Sequence, residues 1–251
     1  MMTIKPKAIY YRITDRDANI AFFTQKLGMR LISEENELTF LGAMAKANSQ
    51  VILEEAPDWL GNRAVIGTKK HELTSIRTKG YAIEQLLLRQ DREGTRLFKG
   101  KNSYAFIAKS PQGDPYLLHD EDDISQLLEI KNWPSDIVAD EAFSGLDSWE
   151  YTGLTLNTPQ PSVSRAFYDI VFEGHQPFEV YFNQAFGRDL LVEPKYVYDI
   201  DVIAYQVSSD VSLATMKKRL EETLNLSVYL NQKETLLVVR EPSHLELWLM
   251  K

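Results

Sequence analysis

The chain repeats itself. A strand-patterned segment, a helix-patterned segment and a set of short strand-patterned segments recur four times over 251 residues. Self-similarity of this kind limits the fold more than any single motif does, because each unit has an apolar face that only another unit can cover. In the first unit, residues 7–13 alternate in polarity, residues 17–27 carry Ile20, Phe23 and Leu27 at helical spacing, and Gly28 supplies a left-handed stop. Strands are expected over 29–34, 37–42 and 50–54, the first two joined by a turn at Glu35-Asn36. The second unit offers strands over 73–78, 96–100, 104–109 and 116–119 around a helix over 81–90, with Pro111-Gln112-Gly113-Asp114 as its last turn.

Periodicity weakens between Asp120 and Ser148, where acidic residues, Trp133-Pro134 and Gly145 read as a linker with one short helix around 124–130. A third unit follows, with strands over 151–157, 178–183 and 190–193 and a helix over 163–171, and it is a strand short. The fourth has strands over 202–207, 227–231, 235–240 and 244–250 and a helix over 213–224, whose Leu213, Met216, Leu220 and Leu224 form one core-facing stripe. The expected organisation is therefore an N-terminal pair of units over 1–120, an acidic linker over 121–148 and a C-terminal pair over 149–251. Order alone leaves open whether units pair within each half or across halves.

Composition removes several classes of function. A net charge of −8 excludes sequence-independent nucleic-acid binding, which needs a basic surface. The densest basic clusters, Lys69-Lys70-His71 and Lys217-Lys218-Arg219, read as solvated faces. With no cysteine, disulfides, thiolate zinc sites and cysteine nucleophiles are out. No apolar run approaches a membrane span, and strand patterning from residue 7 leaves no room for a signal peptide, so no membrane partner and a cytoplasmic address are expected. Monomer and homodimer are equally open.

Certain local sequences carry a resemblance. Asp15 is followed by Ala21-Phe22-Phe23 and Leu27-Gly28, Arg165-Ala166-Phe167-Tyr168 repeats that entry in the third unit, and Pro111-Gln112-Gly113-Asp114-Pro115 precedes a final strand. In their order and spacing these resemble the vicinal-oxygen-chelate superfamily of glyoxalase-like and bleomycin-resistance-like proteins. The fold class implied is α+β, with tandem βαβββ units forming cupped mixed sheets. The order of units and the acidic linker look like the CppA family of Gram-positive cocci. That resemblance implies a proteinase or binder acting on host complement component three, at the cell surface or released.

In metal-using members of the superfamily, the resemblance places ligands on the first and last strands of each unit. Here the matching positions hold Ala8, Leu73, Leu117, Gly153 and Val202, which have no side-chain donor, and Glu54, Glu193 and Glu246, which do. No cofactor is therefore expected, and Glu193 and Glu246 are the remaining weak metal candidates. A glyoxalase-type lyase or isomerase is correspondingly disfavoured.

Strand alternation lists what each cup presents. With Ile9, Tyr11 and Ile13 under the helix, Ala8, Tyr10 and Arg12 face the first cup, and the second unit sends Leu73, Ser75 and Arg77. Arg12 and Arg77 then occupy equivalent places, with Glu54 and His119 on facing strands. This gives either a metal-free site for a small anionic ligand, of the bleomycin-resistance type, or a set of structural ion pairs. In the other cup, Leu245, Leu247 and Leu249 are the buried face, so His244, Glu246 and Trp248 point into the cavity or simply lie exposed at an edge.

Proteolysis leaves no trace in the sequence. There is no Gly-x-Ser-x-Gly elbow, and His71-Glu72 has Ser75 where a zinc helix needs its second histidine. A triad assembled in space would draw on His71, His119, His175 or His244. His119 beside Asp120, with His244 and Glu246, are the catalytic candidates.

Overall fold

A computed structural model describes residues 4–45, 49–57 and 59–251. Alternation in the first segment becomes strand β1 (Ile4–Ile13), whose Ile9, Tyr11 and Ile13 are buried under the first helix. Helix α1 (Arg16–Ala21) starts where Asp15 accepts from the Ala18 N–H at 2.9 Å, an N-cap bond. It runs on as a wider π-helical turn over Phe22–Lys26, closed by Leu27 N–H donating to Phe22 O, and Gly28 stops it at φ 68°. Gly145, also at positive φ, packs against that stop: a Cβ there would lie 2.5 Å from Gly28 O. The glycine pair lets the linker cross the helix end.

Strands β2 (Arg30–Glu35), β3 (Leu38–Gly42) and β4 (Gln50–Glu55) complete the first unit. The second holds β5 (His71–Arg77), α2 (Gly80–Leu87), β6 (Arg96–Lys99), β7 (Tyr104–Lys109) and β8 (Pro115–His119). The linker is more ordered than its composition indicates. Its expected helix around 124–130 is a single 3-10 turn, Ile124–Gln126, followed by β9 (Leu128–Ile130), because Leu128 to Ile130 find a free edge on β6. Gln85 then fastens the linker to α2 by donating to Val138 O at 2.9 Å and accepting from Asp140 N–H at 2.8 Å.

The third unit contains β10 (Glu150–Thr158), α3 (Pro161–Phe172) and β11 (Glu179–Gln184). The strand expected over 190–193 is instead a 3-10 turn, Asp189–Leu191, since Pro194 follows and starts a second such turn, Pro194–Tyr196. The fourth unit comprises β12 (Ile200–Val207), α4 (Leu213–Leu224), β13 (Tyr229–Leu230), β14 (Leu236–Arg240) and β15 (Glu246–Met250). None of the described helices is long and apolar enough to cross a membrane.

The units pair across the sequence halves. Sheet A, in the order β13-β14-β15-β12-β1-β4-β3-β2, joins the fourth unit to the first through the antiparallel β1–β12 seam. Sheet B, in the order β11-β10-β5-β8-β7-β6-β9, joins the third to the second through β10 and β5. One contiguous core lies under the helices, drawing Ile9 and Ile203 from sheet A and Ile76, Leu118 and Leu154 from sheet B. Each sheet therefore keeps one face turned away from that core. The expectation that Arg12 and Arg77 share a cup is overturned by this crossing: Arg12 belongs to sheet A and Arg77 to sheet B.

Candidate functional site

The open face of sheet A has a floor of Ala8, Ile52 and Ala204, separate from the main core. Ala8 and Ala204 lie opposite each other at the seam between the two units, where their small side chains leave room above them. Tyr10 and Trp248 stand on this floor with ring centroids 5.3 Å apart at 51°, and Leu38, Phe40 and Met250 pack alongside.

Arg12 lies at one end of this apolar patch, its side chain 9% exposed. Its guanidinium donates to Glu54 from one side and Asp201 from the other, each at 2.8 Å. Glu54 is its register partner on β4. Asp201 arrives by a different route: Tyr10 pairs with Val202 while Tyr11 pairs with Ile200, so Asp201 is the extra residue of a β-bulge. Burial pushes both carboxyls above their ordinary range against the pull of Arg12, and each is pushed further by a nearby carboxylate. Two acids share one guanidinium.

A second group of ion pairs closes the patch on the β15 side. Glu246 accepts from Arg240 at 3.0 Å and from the Trp248 indole N–H at 2.9 Å, and Arg240 also pairs with Glu193 at 3.3 Å. Glu193 reaches it from a turn rather than from a strand. His244 does not begin β15: it holds a left-handed φ of 69° in the turn after Glu241, one residue type that tolerates that region.

Sheet A therefore unites Tyr10, Arg12 and Glu54 of the first unit with Glu246 and Trp248 of the fourth. Sequence reasoning missed Asp201 and Arg240. Arg240 alternates correctly in β14 and was readable, whereas Asp201 depends on a bulge that no alternation reveals.

The open face of sheet B differs. Arg77 sits at its rim, donating to Asp122 at 2.8 Å and to Glu150 at 2.8 Å. His119 is 1% exposed; its Nδ1 accepts the Glu121 backbone N–H at 3.2 Å, so Nε2 carries the proton and donates to Thr152 at 2.8 Å. Burial pushes its pKa below the usual range. Asp120 does not orient it, since that carboxylate accepts the Gly80 N–H at 2.8 Å. Away from His119 this face retains a cavity of about 660 Å³, walled by Leu73, Ile107, Thr155, Tyr181 and Asn183.

Asp114, His71 and Thr74 come together in the sense of a hydrolytic triad, with Asp114 Oδ1 3.5 Å from His71 Nδ1 and His71 Nε2 2.8 Å from Thr74 Oγ1. Thr74 is 0% exposed and its hydroxyl is also bonded to Tyr11 at 2.7 Å, so no substrate carbonyl reaches it. The group is a buried tie between β1 and β5. Burial pushes the Asp114 carboxyl up, but His71 and Lys69 outweigh it and hold it down at about 2. His175 is exposed, donating from Nδ1 to Glu173 O at 2.9 Å.

A divalent cation does not fit these residues. Glu54 faces Arg12, Glu193 and Glu246 face Arg240, and Ala8 and Val202 at the other expected ligand positions offer no lone pair. Among the described residues no three His, Asp or Glu side chains gather as a metal site.

This fold, two crossed pairs of βαβββ-like units with cups on their open faces, is glyoxalase-like. Glyoxalase I from Zea mays matches it with a TM-score of 0.59 at 14% identity, over 100% of this chain and 93% of that one. The cppA protein from Streptococcus pneumoniae TIGR4 matches with a TM-score of 0.81 at 26% identity, over 100% of this chain and 99% of that one. The family models for the CppA N-terminal and CppA C-terminal regions match residues 7–130 and 146–249. The chain belongs to the CppA family. No curated protein matches it.

Proposed function

We propose that the chain is a metal-independent binding protein whose sheet A face engages a basic segment of a protein partner, complement component three being the partner that the CppA resemblance implies. The observation that carries this reading is the charge count around the aromatic pair. Four carboxylates, Glu54, Asp201, Glu193 and Glu246, surround two guanidiniums, Arg12 and Arg240. A lysine or arginine side chain arriving there relieves the surplus and stacks on Tyr10 or Trp248. A small anion is disfavoured on the same face, because Arg12 already holds two acids.

Binding is favoured over intrinsic proteolysis, since His119 lacks an orienting acid and Thr74 is out of reach. The family role further implies exposure of the protein at the cell surface or its release. The test is to pass purified, protease-free protein over immobilised complement component three and to follow the same mixture on gels. Trp248→Ala and the pair Glu54→Gln with Asp201→Asn are expected to weaken binding by about tenfold or more. Full-strength binding by both variants sinks the assignment of the face. Cleavage that tracks the purified chain sinks the preference for binding, and its loss in His119→Ala with His244→Ala would assign it to those histidines.

A further inference from the structure

At the end of the molecule where residues 65–69, the turn Pro111-Gln112 and the segment 189–199 meet, a pocket of about 340 Å³ opens. None of the residues that make the sheet A face lines it. Its walls are largely apolar, with Val65, Pro111 and Val197 among them, and two of its three charged groups are already satisfied. Lys69 donates to Asp114 at 2.6 Å and to Gln112 O at 3.1 Å. Asp199 accepts three backbone N–H groups, from Lys70, His71 and Ile200.

The third group, Asp189, is different. It is 4% exposed, its Oδ1 has no hydrogen-bond partner, and no basic side chain among the described residues lies within ion-pair distance of it. Lys70, the buried lysine on this side, gives its ammonium to Val192 O at 3.1 Å instead. The backbone is shaped around this carboxylate: a Cβ on Gly67 would come 2.9 Å from Oδ1, and one on Gly187 would come 2.5 Å from it. A buried carboxylate oxygen left unpaired is costly, and an apolar pocket beside it selects a ligand with a cationic head and a short hydrocarbon body.

We infer that this pocket binds a primary aliphatic ammonium group, with the ammonium completing Asp189 and the alkyl chain against Val65, Pro111 and Val197. Two sources carry that chemistry, a free alkylamine and a lysine side chain of a peptide.

The experiment titrates the full ¹⁵N-labelled chain with n-butylammonium chloride and, separately, with Nα-acetyl-lysine methylamide, using n-butanol and sodium butyrate as controls. Saturable shifts of the Val65, Gly67 and Val197 amides are expected with an amine and not with the controls. Asp189→Asn should weaken the affinity at least tenfold, and Thr14→Trp, placed at an exposed lining position, should block entry without touching Asp189. Response to butylammonium alone assigns a free amine, and response to the lysine derivative assigns a peptide side chain. Absence of saturable binding by either amine in the folded protein, equal binding of butanol, or undiminished binding in folded Asp189→Asn overturns the inference. Undiminished binding in Thr14→Trp does the same should Asp189→Asn fail to fold. The sheet A reading is untouched by any of these outcomes, because no residue tested belongs to that face.

Discussion

The two open faces share an architecture and differ in what fills them. Sheet A holds a guanidinium between two acids, under an aromatic pair on a floor of small and aliphatic side chains. Sheet B puts its arginine at the rim, buries a neutral histidine and keeps an open cavity. Duplicated units thus keep the same strand parity while the chemistry at equivalent positions drifts. The ion pairs also differ in depth, since the Arg77 side chain is 38% exposed against 9% for Arg12. Depth decides how much each pair matters.

Removing the central cation is the strongest way to test that contrast. Arg12→Met leaves Glu54 and Asp201 facing each other without a counter-charge, and a loss on the order of 3 kcal/mol is expected in urea unfolding. Arg77→Met should cost under about 1 kcal/mol, as exposed pairs do. Equal losses would break the contrast.

Asp114 gives the next largest effect, on the order of 2 kcal/mol on Asp114→Asn at neutral pH. Its folded pKa, about 2, lies below the unfolded value, so its stabilisation is present above pH about 4 and is lost as pH falls through 2. Asp201 has the opposite sign. Its folded pKa is raised, so its contribution is fully present below the unfolded value of about 4 and is lost as pH rises through the folded one. Unfolding curves of wild type against Asp114→Asn and against Asp201→Asn, taken from pH 2.5 to 7, should therefore diverge in opposite directions. Parallel behaviour would mean that the two acids sit in equivalent surroundings.

A smaller effect separates the aromatic pair from the rest of the floor. Trp248→Leu keeps an apolar group over Ala204 but removes the contact with Tyr10 and the bond to Glu246, for a loss of about 1 kcal/mol by thermal or urea unfolding. The smallest concerns His119, whose ring should titrate in NMR below the ordinary histidine value of about 6.5. With the folded pKa depressed, its stabilisation is present above the unfolded value and lost as pH falls through the folded one. Titration at an ordinary value would show the ring to be more hydrated than its bonds to Thr152 and Glu121 indicate.

Most of the local structure was readable because it is written in short-range periodicity. Ile9, Tyr11 and Ile13 point to the core as their alternation requires, and Leu245, Leu247 and Leu249 do the same at the other end of the chain. The errors fall where local pattern is weak and a neighbour decides. Residues 128–130 became a strand because β6 had an unpaired edge, and residues 190–193 lost theirs to the proline that follows. The site was legible one residue at a time and illegible as a group: Tyr10, Arg12, Glu54, Glu246 and Trp248 were each placed on the proper face, yet in two different cups.

By itself the sequence determined the repeat, the parity of each strand and the lack of donors at most of the metal positions, all of which depend on residue type and on neighbours a few places away. Tertiary structure alone decided that the first unit pairs with the fourth. It also decided that the bulge at Asp201 turns that residue toward Arg12, and that Asp189 is enclosed by Gly67 and Gly187. Strand pairing between distant segments is settled by which edges fit and which faces must be covered, a property of the assembled core that no short window of residues contains.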